Sequence, residues 1–215
     1  MLLKYTKYLL WIAYAYFSYL LFLITVQYIP INFDVAFLRI KQDEIQLFHY
    51  KIAFFTHVYT SIFLVAIGWI QFSTYIRRRH KSLHRNFGKF YILIILFFSG
   101  PSGLIMSYYA NGGIISKTAF IILSFLWMLF TYLSFHYAKK LDFKKHQKFA
   151  IRSFALTLSA ISLRLFKFII VFLFQPLPMD TYRIVSWLGW TFNLVLAEIL
   201  IIYLFKKKIN GIKIN

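Results

Sequence analysis

Long apolar runs alternate with short, strongly basic connections along this chain. An α-helix rises about 1.5 Å per residue, so about 20 apolar residues cross a hydrocarbon core of about 30 Å. The pattern predicts six such helices, over about 8–29, 50–76, 90–109, 118–137, 149–174 and 184–205. Pro30 ends the first, and the fifth stops before Pro176 and Pro178. The first run also resembles a cleaved signal peptide in position. Its one small-residue site, Ala13-Tyr14-Ala15, lies inside the apolar run, so a retained helix is expected. Asn32–Lys41 reads as a polar connection carrying Asp34 and Arg39, and Asp43 as a helix cap.

Composition turns this pattern into a class. Hydrophobic residues make up 60% of the chain and aromatics 22%, more than soluble domains carry. The expectation is one all-α membrane domain over residues 1–215. The absence of cysteine excludes disulfides and thiolate metal sites. A net charge of +19 raises the question of nucleic acid, yet the basic residues lie between apolar runs, as the positive-inside pattern requires. Assigning alternate connections to alternate sides puts 18 Lys and Arg on one side and 5 on the other. Both termini are therefore expected in the cytoplasm, with the lipid bilayer as partner and no nucleic acid.

Polar residues inside the apolar runs mark candidate chemistry, because such groups usually face a bundle interior or a cavity. His57, Ser61, Gly68 and Gln71 share one helical face, as do Ser153, Thr157, Ala160, Arg164 and Lys167. By rise per residue, His57 lies roughly 9 Å below the outer surface and Arg164 roughly 22 Å above the inner one. Those levels nearly coincide. The third run is interrupted at the same level by Ser99-Gly100-Pro101-Ser102-Gly103, where proline removes an amide hydrogen. The expectation is a midplane cavity lined by His57, Arg164, Ser99, Gly100, Pro101 and Ser102, with Glu198 as a further candidate lining residue. Packing seams and an ordinary kink are the plain alternatives. Glu198, the one acid within a run, is expected neutral, paired with Gln71, or satisfied by an inner arginine such as Arg152.

His80, His84, His136 and His146 all fall near the cytoplasmic face. His84, Arg85, His146 and Arg152 are expected to cluster there and to offer charge-assisted hydrogen bonds to an anionic headgroup or a propionate. The outer half offers only His57 and His49, which argues against a two-haem arrangement.

These residues carry a resemblance. His57, Gly68, Gln71, Arg78, His84-Arg85, Gly88 and Tyr91, followed by His146, Arg152 and Arg164, resemble a bacterial membrane family known as domain of unknown function 2306. The resemblance covers about Ile52 to Leu165, most specifically HRNFGKFY and HQKFAIRSFALTLSAISLR; Ile151 supplies the bulky apolar residue before the second arginine. It implies a multipass protein of the bacterial cytoplasmic membrane and supplies no activity. The histidine-bearing helices are also similar in kind to those of helical cytochromes b. Three functions stay open. One is a redox or cofactor-binding protein holding haem b or a quinone through His57, His84 or His146. Another is a small transporter or lipid-binding protein that takes an anionic small molecule or lipid headgroup. The third is an accessory subunit.

Overall fold

The computed structural model describes residues 2–210, and every regular element among them is helical. Lys213, counted in the charge asymmetry, lies outside the described residues. The side chains of Lys4, Lys7, Lys207 and Lys208 do too.

Helix α1 covers Leu2–Val26. A 3-10 turn, Ala36–Ile40, and the short α2, Gln42–Gln46, then lead into α3, Phe48–Phe72. Next come α4, Thr74–Arg79, and α5, Lys81–Leu93. A π-helical stretch, Ile94–Ser99, runs straight into α6, Gly100–Tyr108. The chain continues with α7, Gly113–Lys139, α8, Phe143–Thr157, α9, Ser159–Phe174, and α10, Pro178–Asn210.

Four helices are long and apolar enough to cross a membrane: Phe48–Phe72, Lys81–Tyr108, Gly113–Lys139 and Pro178–Lys206. A fifth follows if α8 and α9, bent by 43° where they meet, form one span. Within α1 the described apolar stretch is shorter, Trp11–Val26.

Three expectations change. The basic stretch 77–89 is helical on both sides of a break at His80, so His84 lies inside α5 rather than ahead of a helix, and His146 likewise lies inside α8. The third run is not broken at Gly100-Pro101. Proline cannot donate to the turn before it, and the helix widens to π geometry just upstream, with Gly100 N–H bonding to Ile95 O. The fifth run, read as one helix over about 149–174, is two helices that meet in a bend at Leu158.

Packing holds these irregular points together. Asn193 of α10 donates to the Ala155 carbonyl (3.0 Å) before the bend and accepts from Ser162 (2.8 Å) after it. The buried centre joins Leu64, Ile67, Ile95, Trp127, Leu156 and Trp190. A second cluster, Tyr28, Leu38, Ile45, Tyr50 and Phe54, makes the connection after α1 a packed cap rather than a polar loop. Tyr59 Oη donates to Tyr28 O (2.6 Å), and the Phe37 amide donates to Tyr28 Oη (3.2 Å).

Candidate ligand cavity around His57

A cavity of about 230 Å³ opens beneath the cap. Its wall takes Tyr50, His57 and Ser61 from α3, Gly103 and Ser107 from α6, and Ser124 and Trp127 from α7. Thr157, Ser159, Ala160 and Leu163 add the α8–α9 bend, while Phe37, Lys41 and Tyr182 close the cap end. Most of this lining is apolar, with a few polar groups converging on it, which is the usual make-up of a small-molecule site.

His57 is the chemical centre. Its Nδ1 lies 2.8 Å from the Ser99 carbonyl. A carbonyl only accepts, so Nδ1 carries the proton and Nε2 keeps a lone pair. Nε2 has no hydrogen-bond partner among the described residues. The ring lies against Gly103, where a Cβ would come within 3.0 Å of the imidazole, and meets Trp127 edge to face at 6.4 Å. Ser61, one turn along α3, lines the same cavity and its buried Oγ also lacks a partner.

Lys41 closes the cap end. It is 1% exposed, and Nζ donates to Glu44 Oε1 (2.6 Å) and to the Tyr109 carbonyl (2.5 Å). Two of its three donors are thus used. Below the cavity, Thr157 Oγ1 joins Trp127 Nε1 (3.0 Å) and Tyr91 Oη (2.7 Å), and Ser153 joins Thr131 (2.7 Å). That floor is a satisfied, rigid hydroxyl network.

The remaining sequence candidates go elsewhere. Ser99 supplies its carbonyl to His57 but does not line the cavity, and neither do Gly100, Pro101 or Ser102; Gly103 is the lining residue of that stretch. Arg164 is not part of the lining. It is exposed, and Nη1 bonds the carbonyl of its own helix at Ala160 (2.6 Å), because helical side chains lean back toward the preceding turn. Glu198 is outside the cavity too. It takes a two-pronged ion pair from Arg152, at 2.5 Å to Nε and 2.8 Å to Nη2, with the guanidinium over Phe149 at 5.1 Å. The neutral and Gln71-paired readings of Glu198 fall away. Gln71 instead donates to the His84 carbonyl (3.0 Å) beside Gly88.

At the end of the bundle away from the cap, His84 lies within electrostatic reach of His146, Arg77 and Arg85, and its buried Nδ1 has no partner among the described residues. His146 Nδ1 bonds the Ser134 carbonyl (2.9 Å). Arg152 is committed to Glu198 and is not shared with the histidines. Haem b does not fit these residues. One histidine lines the cavity, and neither His84 nor His146 does, so the residues cannot supply a histidine pair to a haem iron there. His49, the second outer histidine, bonds Tyr109 Oη at 2.6 Å. No group of three or more His, Cys, Asp or Glu suited to a metal ion occurs among the described residues.

Sequence reasoning missed Lys41, Tyr50, Ser107, Ser124, Trp127 and Tyr182. One signal was available for the serines. Ser99, Gly103 and Ser107 recur every four residues on α6 and its lead-in, and Ser124, Thr131 and Ser134 keep helical spacing on α7; all but Gly103 are small polar residues buried against neighbours.

No curated protein and no solved structure matches the chain. The family described as predicted membrane protein (DUF2306) matches residues 54–201, a stretch that holds His57, the bend and the Arg152–Glu198 pair. With more than half of its length matched, this chain belongs to the DUF2306 family of membrane proteins.

Proposed function

We propose that this chain is a binding protein of the membrane interior, taking a small amphiphile with a hydroxyl-bearing head into the His57 cavity. The observation that carries the reading is the pair of unpartnered polar groups on one wall. Nε2 of His57 accepts, and Ser61 Oγ, one turn away, donates after a turn about χ1. A hydroxyl satisfies both. Lys41, at the cap end, offers a third N–H to an acceptor oxygen further along the ligand. Glu44 already balances its charge, so that acceptor is a neutral carbonyl or ether rather than an anion.

This chemistry selects among the ligand classes. A quinol or a lipid alcohol has the required donor. An oxidised quinone offers acceptors only and leaves Nε2 unmatched. The same reading takes the chain as one domain of six crossings in a bacterial cytoplasmic membrane, both ends inside, supported by the 18-to-5 distribution of Lys and Arg. Transport is a second reading, favoured by the 43° bend, which meets the cavity at Thr157 and Ser159 and supplies a hinge.

The test is organic extraction and mass spectrometry of protein purified in mild detergent. A defined hydroxyl-bearing amphiphile should accompany the wild type and be lost from H57F, while helical circular dichroism persists in both. Equal recovery from H57F, or no organic ligand in either, overturns the reading.

A further inference from the structure

The His57 cavity is shut at both ends. At the cap, Leu38, Ile45, Tyr50 and Phe54 are at most 2% exposed, and Lys41 is bonded to Glu44 and to the Tyr109 carbonyl. At the floor, Thr131, Ser153 and Leu156 are equally buried, and the Thr157 hydroxyl holds Trp127 and Tyr91. The side walls differ. Helices α3, α6, α7 and α8 pack in succession round the cavity. Beyond the bend, α9 is tied to α10: Ser162 donates to Asn193 (2.8 Å), and a Cβ at Gly189 would meet Leu163 at 2.9 Å. Across the cavity, Ala160 and Leu163 of α9 face Ser61 and Val65 of α3 without the two helices packing closely together. Helix α1 covers that gap. It touches both helices, and Leu21 is the one described α1 residue in the lining.

This cover is fastened on either side of Leu21 but not beside it. Tyr14 Oη donates to the Val65 carbonyl. Tyr28, just past the helix, accepts from Tyr59 at its carbonyl and from the Phe37 amide at its hydroxyl. Between these anchors, the hydroxyls bond back along α1: Ser18 to the Tyr14 carbonyl (2.6 Å) and Thr25 to the Leu21 carbonyl (3.1 Å). Among the described residues, no hydrogen bond ties residues 18–25 to another helix. Tyr19, Phe22 and Leu23 leave the other face of this stretch exposed. Lipid tails are as apolar as Leu21, so parting the middle of α1 from its neighbours loses packing and strands no polar group.

We infer that the cavity exchanges its ligand sideways with the bilayer, through a seam under the middle of α1 between α3 and α9, with Leu21 as the door. The tail of a bound amphiphile would then lie along Leu21 while its head meets His57. The inference rests on the cavity being a ligand site, as proposed above, and its test does not require the ligand to be identified.

The chain has no cysteine, so a single thiol placed in the cavity reports access to it. In unsealed membrane fragments, where both faces meet water, S61C should react with N-dodecylmaleimide dissolved in the bilayer. A sulfonated maleimide confined to water should spare it. L21W should slow the dodecyl reaction by roughly tenfold, the effect of overpacking a closed seam. Y14F should speed it by roughly two- to tenfold, the weight of one hydrogen bond. If S61C does not fold, S124C on the α7 wall takes its place. Faster reaction with the sulfonated reagent would reveal a water route and overturn the inference. A dodecyl reaction that L21W leaves unchanged overturns it too, as does no reaction with either reagent in protein that both label once unfolded. Loss of ligand from H57F is measured independently of these rates, so the route and the ligand reading can fail separately.

Discussion

Lys41 is the least expected residue in the molecule. A lysine in a connection between helices is ordinarily solvated, and the sequence around it, ArgIleLysGlnAspGlu, reads as a polar link. In the fold it is buried at 1% exposure, between Glu44 and the Tyr109 carbonyl. Nothing local announces this. The burial depends on Leu38 and Ile45, on either side of Lys41, entering the cluster with Tyr28, Tyr50 and Phe54. His57 is the contrasting case. A histidine inside an apolar run is conspicuous, and its place in a cavity follows from the same cost of burying polar atoms without partners. Replacing Lys41 by methionine should keep the volume and remove both donors. The Tyr109 carbonyl would then be left buried, and Glu44 would lose its cation. Hydrogen bonds to charged groups contribute about 1.5–3 kcal/mol, so K41M should destabilise by about that amount. A thermal or denaturant midpoint equal to wild type would show that the cap does not depend on this contact.

Helix positions were largely legible and helix irregularities were not. Apolar length located α3, the α5–α6 span, α7 and α10, because membrane-length runs leave few alternatives. The bend at Leu158 has no proline or glycine at the break, so no local residue marks it. It is held from outside, by Asn193 bonding on both sides of it. Pro101 did announce an irregularity, but the helix stays continuous by widening to a π-turn instead of breaking. Gly68 was readable as a packing position, though its partner was not. A Cβ at Gly68 would lie 2.0 Å from the Phe154 ring, which is itself packed against Phe72 at 4.8 Å and Tyr14 at 6.2 Å. The ring has little room to retreat. G68A should therefore push α3 away from α8 and cost about 1–3 kcal/mol, typical of overpacking. The double variant G68A/F154L should recover most of that loss in a melting experiment. Failure of the second substitution to rescue the first would place the strain elsewhere.

Four helices are long and apolar enough to cross a membrane, five if α8 and α9 form one span, and the proposed sixth crossing turns on α1. Its described apolar stretch, Trp11–Val26, is short for a span. Its contacts, with those of Tyr28 just after it, run along the middle of α3 from Phe54 to Val65. Tyr14 Oη bonds the Val65 carbonyl in the C-terminal half of α3, and the Tyr28 ring meets Phe54 at 5.1 Å near its N-terminal end. Fourteen residues separate Tyr14 from Tyr28, about 21 Å of rise if helical throughout. Numbers rise along α1 as they fall along α3, so the two run antiparallel. Leu21 also joins the cavity wall, so one face of α1 packs into the bundle while Tyr16, Tyr19 and Phe22 stay exposed on the other. If α1 crosses, the topology proposed from the basic asymmetry has Thr6, Ser82 and Lys140 on the cytoplasmic side and Asp34 and Asn111 opposite. The chain has no cysteine, so each position can be read alone with a single introduced thiol. In intact cells, a membrane-impermeant maleimide should label D34C and N111C and spare T6C, S82C and K140C. Opening the cells should expose all three spared sites. Labelling of T6C in intact cells would leave α1 on the outer side and reduce the bundle to five crossings. Labelling of S82C or K140C would invert the whole orientation.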